Sequence, residues 1–234
     1  MLNAALHAAQ FWDGRAATVE EQAGMPILNP IEMGIPSEQF LVDRLSGFEG
    51  YPEAFATAFP ASEEALTYAN IRHALAAFER TLMTYSRFDR YLQGDREALT
   101  ADERAGLKLF MTLGCGACHN GVTAGGHAFR KFGLNDPYWV HTKSVNIDEG
   151  RAEVTGNEED KYVFKIAALR NVAETGPYFH DGSVASLQEA LGIMARVQVG
   201  AELSERQLSQ MAGFLGSLTG ELPETTRDAL SSGG

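Results

Sequence analysis

The sequence is poor in cysteine, in basic residues and in long apolar runs. It has 2 cysteines in 234 residues, and its 19 Lys and Arg against 31 Asp and Glu give a formal net charge of -12. Because nucleic-acid binding requires clustered basic residues, this charge argues against a nucleic acid as partner. The acidity suits either a basic protein partner or solubility alone. No apolar run reaches the roughly 20 residues needed to cross a bilayer, and residues 1–7 lack the basic and apolar regions of a signal peptide.

Helical patterns predominate over strand patterns in this chain. Apolar residues make up 44% of it, which is enough for a packed core. The aromatic stretch 51–59 predicts a short helix, and the apolar spacing from Ser62 to about Tyr85 predicts a long one. Further helices are predicted after the N-cap residues Ser37, Thr100, Ser186 and Ser204. The pattern indicates a mainly α fold with long loops.

Three stretches are predicted to have little regular structure. Residues 1–36 contain Pro26 and other helix breakers, and residues 120–165 are rich in Gly, Asn and Asp. The tail after Pro223 is polar and is expected to fray. The polar stretch 94–97 has the composition of a linker. We therefore expect one domain over residues 1–97, a second over residues 98–222, and a polar tail over residues 223–234.

Both cysteines lie in one motif, Cys115-Gly116-Ala117-Cys118-His119, which matches the C-x-x-C-H pattern of c-type haem attachment. Two thiols bond the two vinyl groups of the porphyrin, and the imidazole that follows ligates the iron. A random order of this composition would give the motif on the order of once in 5,000 chains, so chance explains it poorly. Zinc is disfavoured because a structural site uses four ligands, and a redox C-x-x-C needs a βαβ context that the sequence lacks.

The opposite axial position of the iron has five candidate ligands. Met111 lies only four residues before the motif, so it is poorly placed to reach the far face of the haem. Met211 has the helical spacing of a core residue, and periodicity alone favours the core for Met194 as well. His127 is a further candidate, and His180 lies in a turn where it is either a ligand or a hydrogen-bonding residue. A methionine ligand would raise the haem potential relative to two histidines.

Further stretches make the chain resemble the bacterial di-haem cytochrome c peroxidase and MauG family over roughly residues 2–220. The resemblance implies a cytochrome c-like haem domain over residues 98–222 and the remnant of a second such domain over residues 1–97. It implies reduction of hydrogen peroxide to water, with electrons from a small c-type cytochrome or cupredoxin that enter at the haem on Cys115 and Cys118. The similar stretches are residues 10–16 (QFWDGRA), 29–34 (NPIEMG), 115–119 (CGACH), 169–172 (LRNV) and 177–183 (PYFHDGS).

The resemblance also assigns the residues of the reaction site. His119 and Met194 are implied as the two axial ligands of the iron, and Met194 favours the peroxidase branch because MauG members carry tyrosine there. Glu32 is implied as the acid–base residue beside bound peroxide, since a carboxylate can move a proton between the two oxygens. Gln22 is implied as its polar neighbour, and Trp12 as the tryptophan between the two haems.

A calcium site is implied between the haem domains. Its ligands in this chain are the backbone carbonyls of Thr175 and Pro177, and hard oxygen ligands suit calcium. The family's asparagine ligand is expected upstream of residue 1.

The main departure from the family is the number of haem motifs. The first of the family's two C-x-x-C-H motifs is expected before Trp12, where this sequence has none. We therefore expect either a fragment of a complete peroxidase or a one-haem derivative. The alternatives are a monohaem electron-transfer module without peroxidase activity of its own and a MauG-like oxidase of a protein side chain, which Met194 disfavours. The resemblance implies a periplasmic location, and it is compatible with a homodimer.

Overall fold

The computed structural model describes the backbone of residues 2–232 and the side chains of residues 2–228. Among these residues the architecture is mainly helical, as the sequence predicts, with two short antiparallel sheets. None of the helices in this part of the chain combines the length and the apolar content that a bilayer crossing needs. The helices are α1 (Val19–Leu28), α2 (Glu38–Ser46), α3 (Tyr51–Ala58), α4 (Tyr68–Glu79), α5 (Arg87–Leu92), α6 (Ala101–Thr112), α7 (Tyr138–Thr142), α8 (Ala152–Thr155), α9 (Leu187–Met194), α10 (Glu205–Gly216) and α11 (Glu224–Ser232), and the strands are β1 (Tyr85–Ser86), β2 (Phe129–Lys131), β3 (Val163–Lys165) and β4 (Gly220–Glu221).

The predicted N-cap residues begin four of these helices. The side chains of Ser37, Thr100, Ser186 and Ser204 each accept a hydrogen bond from the amide three residues later, at 3.1, 3.2, 3.2 and 3.4 Å. At Thr100 and Ser204 the third residue's side chain also accepts from the cap amide, which completes a capping box. The predictions of α2, α3, α6, α9 and α10 are therefore confirmed.

The long helix predicted from Ser62 is wrong at both ends. Its actual cap is Thr67, whose side chain accepts from the amide of Asn70 at 3.2 Å. The Asn70 side chain also donates to the carbonyl of Ala65 at 2.7 Å and holds the preceding residues in a turn. The hydroxyl of Thr81 donates to the carbonyl of Phe78 at 2.8 Å, where the helix has ended. Side-chain hydrogen bonds to the backbone thus compete with the helix at both ends.

The prediction that residues 1–36 are irregular is wrong for α1. Thr18 caps this helix by accepting from the amide of Glu21 at 3.1 Å, and the Glu21 carboxylate accepts from the amide of Ala17 at 2.7 Å. Pro26 lies in the last turn, and only two more residues follow it before the helix ends. A proline so near the C-terminus interrupts one hydrogen bond without preventing the turns before it.

The polar tail also departs from the prediction, because α11 is helical. Its first turn is closed by the amide of Thr226, which donates to the carbonyl of Pro223 at 3.0 Å. The Thr226 side chain is buried, and its hydroxyl donates to the carbonyl of Thr81 at 3.3 Å. The start of this helix therefore packs on the segment after α4. The stretch 120–165 contains only short elements, as predicted.

The apolar core falls into separate clusters along the chain. The first joins α1, α2 and α4, and the hydroxyl of Tyr68 donates across it to the carbonyl of Gly24 at 2.6 Å. The largest lies between α6 and α10, which approach closely at Gly106, where a Cβ atom would lie 2.0 Å from the carbonyl oxygen of Gln210. A third lies around α9. The members are Ile27, Val42, Leu66, Tyr68 and Ile71 in the first cluster, Phe110, Leu169, Leu191, Met211, Phe214, Leu215 and Leu218 in the second, and Val184, Ala190, Ile193 and Val197 in the third.

The segment of β1 and α5 contacts the second half of the chain. β1 pairs with β4, and the Phe88 ring meets Phe214 edge-on with centroids 5.4 Å apart. Arg87 forms an ion pair with Glu103 at 2.5 Å. These contacts favour grouping residues 85–92 with the haem-motif half, while the domain boundary predicted near residue 97 stays a prediction.

Candidate haem site

The C-x-x-C-H motif forms a tight turn directly after α6. Gly114 ends the helix at φ +83°, a left-handed conformation that glycine adopts at little cost. The amides of Cys118 and His119 then donate to the carbonyl of Cys115 at 3.2 and 2.9 Å. Both cysteines are half-buried and free of a disulfide. The two thiols are therefore available to bond one porphyrin.

The imidazole of His119 is oriented by a hydrogen bond to the backbone. Its Nδ1 lies 3.0 Å from the carbonyl oxygen of Ala167, which can only accept, so Nδ1 carries the proton. This leaves Nε2 as the unprotonated nitrogen that a metal ligand requires. Burial lowers the pKa of His119, although hydrogen bonds to the carbonyls of Ala167 and Ala124 act in the opposite direction. The ring is therefore neutral at pH 7. The cysteines and this histidine fit a covalently bound haem.

Two adjacent glycines allow the loop after the motif to approach Ala167. A Cβ atom on Gly125 would lie 2.1 Å from the carbonyl oxygen of Ala167, the same oxygen that orients His119. The amide of Gly126 donates to the carbonyl of Ile166 at 2.7 Å. No local pattern predicts this support, and the Gly125-Gly126 pair is its trace in the sequence.

The structure separates the candidate axial ligands. Met211 is a core residue, as its spacing predicts, and only 2% of its surface is exposed. The sulfur of Met111 lies 3.0 Å from the Cβ position of Gly116, so it is beside the attachment turn and not across from it. His127 is exposed. Met194 is half-buried at the last position of α9, where a π-helical turn follows. Its role as a ligand stays a prediction.

His180 lies in an aromatic cage. Its ring stacks on Phe164 with centroids 4.2 Å apart and meets Tyr138 edge-on at 5.2 Å. Its Nε2 is buried and lies 3.8 Å from the nearer carboxylate oxygen of Asp148, which is beyond hydrogen-bond distance. Burial lowers the pKa of His180, although Asp181 and Asp148 act in the opposite direction. The ring is packed among aromatic side chains, and its role as a ligand or as a hydrogen-bonding residue stays a prediction.

Trp12 lies against the β2–β3 sheet of the haem-motif half. Its carbonyl accepts from the amide of Lys165 at 2.7 Å. The next residue, Asp13, accepts from the guanidinium of Arg151 at its carbonyl, at 3.2 Å. The segment that carries Trp12 is thus bound to the half of the chain that carries the motif, and this position is compatible with the predicted place between two haems.

Glu32 and Gln22 differ in their exposure. Glu32 lies in the turn after α1, where its amide donates to the carbonyl of Asn29 at 3.0 Å and its carboxylate faces solvent. Gln22 lies within α1 and is buried, with 9% of its surface exposed. Among the described residues no hydrogen bond joins the two side chains. Their predicted cooperation at bound peroxide stays a prediction.

Thr175 and Pro177 lie in an exposed loop before His180. Within residues 2–228, no group of three or more His, Cys, Asp or Glu side chains forms a metal site. A calcium site at this loop would therefore depend on backbone carbonyls, as the prediction has it, and it stays a prediction.

Comparison with known proteins identifies the family. A family model described as di-haem cytochrome c peroxidase matches residues 1–97. A cytochrome c551 peroxidase of Nitrosomonas europaea is 42% identical over 225 residues, which is 96% of this chain and 65% of the relative. A methylamine utilization protein MauG of Methylophilus methylotrophus is 31% identical over 94% of this chain and 67% of the relative. The chain belongs to the di-haem cytochrome c peroxidase and MauG family.

A solved structure agrees with this membership. A MauG-like protein associated with microbial copper homeostasis superposes with a TM-score of 0.80 at 29% identity, over 94% of this chain and 75% of that one. The cytochrome c-like architecture predicted from the sequence is therefore confirmed. Membership of a di-haem family implies haem as cofactor, in agreement with the attachment turn. The chain spans about two thirds of the length of the N. europaea relative, with 65% covered.

Proposed function

We propose that this chain forms part of a peroxidase that reduces hydrogen peroxide to water with electrons from a small c-type cytochrome or cupredoxin. The observation that carries the proposal is the attachment turn, in which Cys115 and Cys118 are free and the Ala167 carbonyl fixes the tautomer of His119. The 42% identity to a cytochrome c551 peroxidase over 96% of the chain supports it. When bound, haem c supplies the iron that exchanges electrons with the donor and, in the family, with peroxide.

The residues of the attachment turn hold and orient the haem in this proposal. Cys115 and Cys118 bond it covalently, and His119 ligates the iron through Nε2. Met194 is proposed as the second ligand, and its thioether would keep the potential high enough to accept electrons from a high-potential donor.

Glu32 moves the proton in this proposal. Peroxide cleavage requires a proton to leave the oxygen nearer the iron and to reach the farther one, which departs as water. The exposed Glu32 carboxylate on its hydrogen-bonded turn can accept that proton at one oxygen and return it from the same group. Gln22 is proposed to hydrogen-bond the peroxide, and Trp12 to lie on the route of electrons between the two haems of the complete enzyme.

Several finer assignments accompany this function. Residues 1–97 are proposed as the back part of the peroxidatic domain, and residues 98–222 as the electron-entry domain with one haem c. The carbonyls of Thr175 and Pro177 are proposed to bind calcium at the domain interface. We place the protein in the periplasm, because c-type haem is attached after export, and the donor is proposed to dock on the electron-entry domain.

A chimaera tests the whole activity. Residues 1–234 would replace the matched region of the N. europaea peroxidase, and the product would be expressed with haem-attachment machinery. We expect two haems per chimaera and peroxide consumption with a reduced donor cytochrome, whereas the chain alone should bind one haem and consume little or no peroxide. A chimaera that carries both haems and consumes no peroxide would contradict the proposal.

A monohaem electron-transfer module is the second candidate, because the attachment turn alone would hold one haem that can exchange electrons. It predicts that the loaded chain exchanges electrons with a donor cytochrome while Glu32, Gln22 and Trp12 have no influence on any activity of the chimaera. A MauG-like oxidase is disfavoured by the methionine at position 194.

A further inference from the structure

Lys165 contacts the segment of residues 7–12, which carries Trp12. Its backbone amide donates to the carbonyl of Trp12 at 2.7 Å, and its ammonium Nζ donates to the carbonyl of Ala9 at 2.8 Å. The same Nζ lies 3.5 Å from Nδ1 of His7. One residue at the end of β3 therefore contacts the beginning, the middle and the end of residues 7–12.

The ammonium of Lys165 is an unusual group for this position. It is half-buried, and although the charge of Asp13 favours it, within the described residues no carboxylate forms an ion pair with it. Burial lowers the pKa of Lys165 to about 8 and that of His7 to about 4, the latter with a contribution from Lys165. An aliphatic side chain would avoid the cost of burying this charge. The ammonium is therefore explained by its hydrogen bond to the carbonyl of Ala9.

The backbone around Trp12 contributes to the position of its ring. The side chain is 38% exposed, and among the described residues it has no aromatic stacking partner. Phe11, directly before it, has φ +63°, a left-handed conformation that persists only where surrounding contacts fix it. The hydrogen bonds of residues 7–12 therefore fix the backbone that carries the tryptophan.

The chain that continues from Lys165 reaches the haem motif within two residues. The carbonyl of Ala167 accepts from Nδ1 of His119 at 3.0 Å. Between them, the carbonyl of Ile166 accepts from the amide of Gly126 at 2.7 Å, which fixes the strand to the loop after the motif. A stretch of three residues thus holds the Trp12 segment at one end and the axial imidazole at the other.

We propose that Lys165 is a positioning residue, which holds Trp12 in a fixed orientation relative to the haem that His119 ligates. The catalytic consequence rests on the proposed function, since it requires Trp12 to carry electrons. The structural claim does not, because it concerns the order of residues 7–12 and the separation of the Trp12 ring from the haem.

The test uses the haem-loaded chain in a Trp139→Phe background, where Trp12 is the remaining tryptophan. Energy transfer to haem shortens the lifetime of tryptophan fluorescence, and the effect depends on the distance between the ring and the haem. We expect Lys165→Met to replace a single short lifetime by longer, multiple ones. We also expect amide exchange of Ala8 and Gln10 to accelerate about tenfold or more, because a hydrogen bond from a charged donor is lost. Lys165→Arg should restore both, since it can donate to the same carbonyl.

Lys131→Met is the matched control, because Lys131 is an exposed lysine on the same two-stranded sheet. It should leave the lifetime and the exchange rates unchanged. Wild-type values in Lys165→Met would overturn the proposal, whether or not the chimaera consumes peroxide. If Lys165→Met fails to fold, exchange in the wild-type chain decides. The proposal requires the amides of Ala8 and Gln10 to exchange as slowly as those of β3, and exchange at the rate of a free peptide overturns it.

Discussion

His119 and Glu32 both come from short, recognisable stretches of sequence, but the chain supports them in different ways. The imidazole of His119 is half-buried and hydrogen-bonded to Ala167, and Gly125 and Gly126 let the loop after the motif approach that residue closely. The carboxylate of Glu32 faces solvent on a turn that is closed by backbone hydrogen bonds and by the Asn29 side chain, which accepts from the amide of Ile31 at 3.2 Å. In the proposed function, electron entry uses an imidazole that the chain holds in place, whereas proton transfer uses a carboxylate that water and substrate can reach.

Glu32→Gln should give the largest effect that leaves the fold intact. In the chimaera with the N. europaea peroxidase, we expect peroxide turnover to fall by about 100-fold or more, because the variant cannot move the proton. The melting temperature should stay unchanged, since the side chain is exposed. Glu49→Gln, at another exposed carboxylate, is the control. Equal turnover in both variants would remove Glu32 from the reaction.

Arg170→Met should destabilise the haem-motif half most. Arg170 binds Asp89 through two hydrogen bonds of 2.7 and 2.6 Å, and the side chains are only 12% and 14% exposed. Burial alone would raise the pKa of Asp89, but Arg170 and Ser86 hold it at about 2. Loss of the guanidinium leaves a buried carboxylate unpaired, so we expect about 3–5 kcal/mol less unfolding free energy. Denaturant unfolding measures it, and Arg130→Met, which is exposed, should change little.

Gly106→Ala tests the contact between α6 and α10. A Cβ atom at this position would lie 2.0 Å from the carbonyl oxygen of Gln210, so the helices must separate, at a cost of about 1–3 kcal/mol. Gly216→Ala is the matched control, because its Cβ would have no neighbour within 4 Å. That change should be neutral or slightly stabilising, since alanine favours helix. Equal unfolding midpoints for the two variants would show that the helices do not touch at Gly106.

Stability should also depend on pH through His7. Burial, with a contribution from Lys165, lowers the pKa of His7 from 6.5 to about 4. Between pH 6.5 and 4 the unfolded chain therefore binds a proton at His7 before the folded chain does, and stability falls as the pH falls. His7→Phe should lose less stability than the wild type over this window in denaturant unfolding. Parallel losses would show that His7 is not buried as a neutral ring.

Much of the fold and the covalent part of the site can be predicted from the sequence, because both depend on local patterns. Capping residues such as Thr100 and Ser204 act on amides three residues away, and the attachment motif is contiguous. The errors have tertiary causes. Thr67 replaces Ser62 as the cap of α4 because the Asn70 side chain holds the preceding residues in a turn. Helix α1 tolerates Pro26 because the proline lies in its last turn. Helix α11 forms where its first turn packs on the segment after α4.

The long-range support of the site has no local pattern. Ala167 and Lys165 are 48 and 153 residues from His119 and Trp12, the partners they hold. An alanine that acts through its carbonyl is indistinguishable in sequence from any other alanine. A half-buried lysine within a strand has no local sequence pattern either, since its burial depends on the segment that folds over it.

Covalent haem attachment tests the central claim most directly. The chain should be expressed with haem-attachment machinery, purified, and compared with the Cys115→Ala, Cys118→Ala double variant by mass and by absorbance. The account predicts one haem per chain, with a Soret band that stays with the protein in acidic acetone and is absent from the double variant. Colour that extracts into the solvent, or a colourless wild-type product, would contradict it.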